Sequence, residues 1–250
     1  MIRSRPAALG VAALLSAPAG AEPVTFGSLL REMTDGGVLA EFPDPGYEAL
    51  QFSSYDRRSD AGPDAGLPQE EGWFANEDWG NFLRTVEVET EAGRRTEHVL
   101  AEIEGPGAVA RIWSANPSGN LRFYFDGGPE AGHAPDLVAP MADLLAGRFR
   151  LPAPSGSEPV VIGEPYAGVR ARGYNLYLPL PFGESCLITT DIETTPERRG
   201  FYYIVNVRRY EGRTPVRTFD PVEAAGDLAP SRTHARGVGR HDRRAGLSLR

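Results

Sequence analysis

The sequence predicts an all-β protein: a jelly-roll-like β-sandwich with one short N-terminal helix and a disordered C-terminal tail. Three observations carry this reading. Apolar residues recur at every second position in short runs rich in β-branched and aromatic side chains. Gly, Pro, Asn and Asp bound those runs. Helical periodicity is scarce beyond the first segment. With 250 residues, 41% of them hydrophobic, the chain is long enough to bury a real core.

The elements follow in order. Residues 1–21 carry Arg3 and Arg5, an apolar run from Ala7 to Ala19, and the small-x-small pattern Ala19-Gly20-Ala21. This reads as a secretory signal peptide; a buried first helix is the other reading. The run is shorter than the roughly 20 residues of a membrane span, and none is expected later. The mature protein is then secreted or periplasmic and starts near Glu22. "TFGSLLREMTD" places Phe26, Leu29, Leu30 and Met33 at helical spacing, with Thr25 as cap and Gly36-Gly37 as stop. "TVEVETE" alternates Val86 and Val88 against glutamates, a half-buried strand. "AGRRTEHVLAEI", "AVARIWSA", "NLRFYFDGG", "YNLYLPLP", "SCLITTD" and "GFYYIVNVRRY" continue in that style, with "APMADLLAG" as a helical turn between strands. About seven or eight strands separated by turns read as a sandwich or jelly roll. Residues 22–219 form this domain.

From Asp220 the pattern stops, and residues 220–250 read as a disordered basic tail. Residues 22–226 hold 32 acids and 18 arginines, a balance of −14, whereas residues 227–250 hold six arginines and two acids. The acidic body argues against nucleic acid as a partner. The single cysteine, Cys186, excludes an internal disulfide, and the chain contains no lysine. Four scattered histidines show no zinc spacing. A phosphate-binding loop and a nucleophile elbow are missing too. Neither metal nor cofactor is expected.

What remains is clustering of aromatic and polar residues. "QFSSYDRRSD" offers Tyr55, Asp56 and Arg57; "WFANEDWG" offers Trp73, Asn76, Asp78 and Trp79; "RIWSANP" offers Trp113 and Asn116; "RARGYNLY" offers Arg172 and Asn175. A sugar is gripped by flat rings against its C–H faces and by carboxylate, amide or guanidinium groups on its hydroxyls. The candidate substrate-binding residues are therefore Asp56, Arg57, Trp73, Asn76, Asp78, Trp79 and Trp113. Tryptophans at strand ends also serve as packing and Asp or Asn as turn formers, so this chemistry permits the reading without requiring it.

Taken together, "FGSLLREMTD", "FPDPGYEALQFSSYDRRS", "WFANEDWGNFLR", "AEIEGPGAVARIWSANPSGNLRFYFDG", "APMADLLAG", "RGYNLYLPLPF" and "GFYYIVNVRRY" resemble the N-terminal half of domain-of-unknown-function family 2961, which overlaps glycoside hydrolase family 172. The likeness runs in order from Phe26 to Phe219. It implies secreted or periplasmic enzymes that cleave fructofuranosides or arabinofuranosides by a retaining mechanism with two glutamates. It further implies two jelly rolls per subunit, assembled as trimers or hexamers, and a furanose-containing oligosaccharide or polysaccharide as partner. Retaining chemistry needs two carboxyls about 5–5.5 Å apart. The resemblance places that pair in the second jelly roll, beyond Phe219, so no catalytic residue is carried over. Glu77, Glu102, Glu104 and Glu184 lie in or near the matched motifs without any sign that two of them face each other. Family likeness, strand pattern and charge sign are lost at nearly the same place, which suggests a frameshift or early gene end; a genuine short form with a basic tail is the rival. The leading expectation is a secreted furanoside hydrolase truncated before its catalytic pair. The alternative is a non-catalytic carbohydrate-binding module or assembly subunit.

Overall fold

The computed structural model describes residues 22–91, 93–153, 155–195 and 200–228. The expected signal peptide and the chain from residue 229 lie outside the described residues. Helix α1 (Phe26–Glu32) starts with a capping box between Thr25 and Ser28 and buries Phe26, Leu29 and Leu30, as its spacing predicts, whereas Met33, the fourth residue of the expected stripe, is the exposed C-cap. It closes at Met33; Asp35 instead caps a separate 3-10 turn that takes in both glycines, Gly36–Ala40.

The strands are β1 (Tyr47–Ser53), β2 (Arg84–Thr90), β3 (Gly93–Glu104), β4 (Gly107–Ser114), β5 (Asn120–Phe125), β6 (Leu137–Pro140), β7 (Arg150–Leu151), β8 (Val160–Val161), β9 (Ala167–Arg170), β10 (Gly173–Leu176), β11 (Leu180–Phe182), β12 (Ser185–Thr190) and β13 (Tyr203–Tyr210). Helix α2 (Met141–Leu145) follows β6. One sheet runs β1-β13-β4-β10-β9 with β11 also on β4; the other runs β2-β3-β12-β5-β6. The pairings β1 with β13, β3 with β12, β4 with β10 and β11, and β5 with β6 are all antiparallel. Each joins a strand of the first half to one of the second, and successive pairs alternate between sheets. The chain is thus one long hairpin wound over itself, which is a jelly roll.

Several elements differ from the sequence reading, which names none of β1, β6, β7, β8 and β9. β1 is an edge strand whose first three residues are exposed, so it lacks a clear alternation. "YNLYLPLP" is two strands rather than one, broken before Pro179-Leu180, where proline has no N–H to give the ladder. Residues 221–228, placed by composition in the disordered tail, form a helix, α3. Asp220 caps it through the N–H groups of Val222 (2.7 Å) and Glu223 (3.0 Å), with Pro221 following the cap. Its Ala224, Ala225 and Leu228 are buried in the main core, and Phe219 packs edge-on against Phe26 and Phe125. The folded domain therefore continues past Asp220.

Inward-facing residues of both sheets, such as Leu121, Phe123 and Phe125 on β5 and Val205 and Val207 on β13, fill the core. A bulge at Leu100 shifts the β3–β12 register. Beyond it Val99, Glu97 and Arg95 face outward and His98 turns to the inner side. Outside the five-stranded sheet a small cluster of Val86, Val99, Tyr124 and Leu187 accompanies a fully buried carboxylate, Glu97. Glu97 accepts from Arg95 (2.6 Å), the Tyr124 hydroxyl (3.0 Å) and Thr189 (2.5 Å), with Arg122 at 3.5 Å. Burial and this carboxylate push the Tyr124 phenol up to about 12, so it stays a donor.

Removing one member of such a network leaves buried charge unpaired. Glu97→Ala should cost about 3–5 kcal/mol in urea unfolding. Glu89→Ala, which breaks only the exposed pair with Arg94, should cost under about 1 kcal/mol. Equal costs would show that the network contributes no more than a surface contact.

Candidate functional site

The connection from β1 to β2, residues 54–83, folds back against the end of the sandwich. Ser54 extends the β13 ladder: its N–H donates to the Tyr203 carbonyl (3.1 Å) and its hydroxyl accepts from the Tyr203 N–H (3.1 Å). Asp56 then caps a 3-10 turn, Arg57–Ala61. The two ends of the connection are laced together. The Asn81 side chain donates to the carbonyls of Ser54 (3.0 Å) and Glu77 (2.7 Å). Arg57 donates to the carbonyls of Asn81 (2.9 Å) and Ser53 (3.1 Å), and Tyr203 donates to Asn81 (3.1 Å). The Asp78 carboxylate accepts the Asp56 N–H at 2.9 Å.

This lacing frames an open cleft of about 760 Å³. Its aromatic lining is Phe82, stacked on His98 at 4.7 Å and on Tyr203 at 6.0 Å. Around it stand Asp56, Arg57, Arg58, Asn81, Arg84, Thr85 and Thr194. The arginines differ in their partners. Arg58 binds Asp56 (2.6 Å) and Glu77 (3.3 Å), and Arg84 binds Glu102 (2.8 Å) and Glu130 (3.1 Å). Arg57 has no carboxylate within 4.0 Å among the described residues; backbone carbonyls hold it, and it lies 5.0 Å from the Tyr55 ring centroid. It therefore brings an uncompensated positive charge to the cleft.

Asp56 is the one carboxylate lining the cleft among the described residues. The Arg58 guanidinium, with the Arg58 and Glu77 N–H groups, lowers its pKa to about 2. Both oxygens are occupied, so it positions Arg58 and cannot act as an acid at neutral pH. Arg84 likewise lowers the pKa of Glu102. Burial lowers that of His98, which favours its neutral form. Rings, amide, hydroxyls and guanidinium can hold a polyhydroxylated ligand here. They do not supply the paired carboxyls of a glycosidase. Among the described residues no group of three His, Cys, Asp or Glu side chains could hold a metal ion, and no helix is long and apolar enough to cross a membrane.

Of the residues singled out in the sequence, Asp56 and Arg57 line the cleft and Asp78 braces it from behind. Trp79 is anchored by its indole N–H to the Gly200 carbonyl and stacks on Tyr202. Trp73 is half exposed, and Asn76 is exposed; neither lines the cleft. Trp113 sits on β4, opposite in orientation to the core residue Ile112, on the outer face of the six-stranded sheet. Sequence reasoning missed Arg58, Phe82, Arg84 and His98. Phe82 and Arg84 lie inside the quoted "WFANEDWGNFLR", but His98 reads as an ordinary strand residue until the Leu100 bulge turns it inward. The carboxylates Glu77 and Glu102 are tied to arginines, while Glu104 and Glu184 are exposed.

In comparison with known proteins, the model of the GH172 first beta-sandwich domain matches residues 45–227. No curated protein matches the chain.

The Asp56 clasp has a pH signature. Its folded pKa lies below the unfolded value of about 3.9, so its stabilisation is complete above that value and is lost as pH falls through 2. In thermal melts, the gap between the wild type and Asp56→Asn should be constant above about pH 5 and close towards pH 2. A gap that ignores pH would mean that Asp56 acts by packing alone.

Proposed function

We propose that this chain, which belongs to the GH172 family through its first β-sandwich domain, holds a furanose-containing oligosaccharide in the cleft framed by the connection from β1 to β2. Cleavage of the glycosidic bond is left to a carboxylate pair supplied from outside residues 45–227. The observation that carries this reading is the composition of the cleft. The Phe82–His98 stack offers a ring face, and Arg57, Asn81, Thr85 and Thr194 surround it with polar groups. The only lining carboxylate among the described residues, Asp56, is ionised and spent on Arg58. Such a site orients a sugar without protonating its leaving oxygen. The furanose class and an extracytoplasmic location follow from the motif resemblance and the leader-like N-terminus, and they belong to the proposal.

A second reading, an assembly module, draws on a different observation. Leu67, Trp73 and Phe74 are each more than half exposed on one short loop, the kind of patch that marks a protein contact. The binding reading is preferred because the cleft is framed by a set of part-buried hydrogen bonds between the two ends of one connection, not by exposed apolar groups.

Arg57→Ala should weaken binding of an arabinofuranosyl or fructofuranosyl trisaccharide about tenfold, about 1.4 kcal/mol in calorimetry. The wild-type chain alone should release no sugar from the trisaccharide. Unchanged affinity in the variant sinks the cleft assignment, and turnover by the wild-type chain sinks the division of labour.

A further inference from the structure

Two of the aromatic-amide motifs, "RIWSANP" and "GYNLY", play no part in the cleft, yet the fold brings them together. Ile112 on β4, Leu176 on β10 and Val205 on β13 belong to the core. Their neighbours Arg111, Trp113, Asn175, Ile204 and Asn206 therefore face outward. Strand register sets them side by side: Trp113 lies opposite Asn175 and Ile204, Arg111 opposite Asn206, and Asn206 opposite Gln51. Four adjacent strands separated by about 4.8 Å make this array about 14 Å wide.

We propose that this outer face of the six-stranded sheet is a second carbohydrate-binding surface, separate from the cleft, which takes a polysaccharide chain lying across β1, β13, β4 and β10. The inference rests on the carbohydrate reading of the chain but not on the cleft. Its polar groups are fixed in advance. Asn206 donates to Gln51 (3.1 Å), and Arg111 (3.0 Å) and the Tyr177 hydroxyl (3.3 Å) both donate to Asn175. Asn206, held by Gln51 and only partly buried, loses little entropy when it meets a hydroxyl. Asn175 is buried and also donates to the Gly173 carbonyl (3.0 Å), so it serves to fix Arg111 and Tyr177 rather than to meet the ligand. The Trp113 indole occupies the space that a Cβ on Gly173 would fill, so glycine lets the ring lie close on β10. Arg111 stacks 5.7 Å from the Tyr177 centroid and spends one of its five N–H donors on Asn175. Its Nε is buried and out of a ligand's reach, so the donors it can offer are the terminal N–H groups not spent on Asn175, and no carboxylate lies within 4.0 Å of it among the described residues. A rigid indole beside a guanidinium with donors to spare suits the C–H face and hydroxyls of a sugar. Ile204 is the one aliphatic side chain in the array, so the face offers little to an apolar protein partner.

The test is affinity electrophoresis of the full chain through gels containing soluble arabinan, with calorimetry on a furanosyl trisaccharide run in parallel. The wild type should be retarded by the polymer. Trp113→Ala and Arg111→Gln should lose at least about tenfold in retardation while trisaccharide affinity is unchanged. Asn206→Ala, at a partly exposed position, should weaken retardation and guards against a misfolded tryptophan variant, as do thermal melts of all three. If all three variants are retarded like the wild type, the face assignment is overturned. Trisaccharide binding without any retardation of the wild type also overturns it and leaves the cleft standing. Failure of the wild type in both assays removes the carbohydrate reading itself.

Discussion

The insertion of β13 between β1 and β4 is the contact on which the other features depend. This strand, the last in the described domain, pairs with the first strand along Tyr47–Ser53 and with β4 along Gly107–Ser114. Its inner residues Tyr203, Val205 and Val207 belong to the core. Tyr203 also supports Phe82 and donates to Asn81, so the cleft is anchored to the same strand. Its outer residues Ile204 and Asn206 carry the exposed face. Alternation along one strand thus serves both surfaces, each on its own side of the sheet. Such a pairing joins residues about 150 positions apart, and only many simultaneous contacts can offset that closure entropy.

The ionised groups divide by what surrounds them. Glu97 is fully buried and satisfied by four neighbours, which makes it a structural carboxylate. Asp56 is equally saturated but stands at the wall of the cleft, where it fixes the turn that presents Arg57. With no lysine in the chain, fork-shaped guanidiniums supply the side-chain cations. The fork lets Arg84 hold two glutamates at once and lets Arg57 bridge two carbonyls. Arg57 and Arg111 have no carboxylate within 4.0 Å among the described residues; backbone carbonyls hold the first and an amide oxygen the second.

Much of the architecture is legible in the residue pattern. The cap and apolar stripe of α1, the alternation of β2, β3, β5 and β12, and the helical turn at α2 are local properties, and the structure has them where the pattern puts them. The start of α3 carries a readable signal as well, an Asp cap followed by proline. It is masked by the polar, aromatic-free composition that follows it, and the burial of its alanines in the main core is a tertiary contact.

The sequence by itself determined the all-β class, most strand positions and the presence of aromatic-polar motifs suited to sugars, because alternation, capping and turn chemistry act between near neighbours. Tertiary structure alone decided which motifs meet. The Leu100 bulge turned His98 into the cleft, the β1–β13 pairing brought Arg57 onto the carbonyl of Asn81, and the β4–β10 register set Trp113 beside Asn175 on the opposite face. A one-residue change of register reverses the side a residue faces, and no local pattern encodes the register between strands so far apart in the chain.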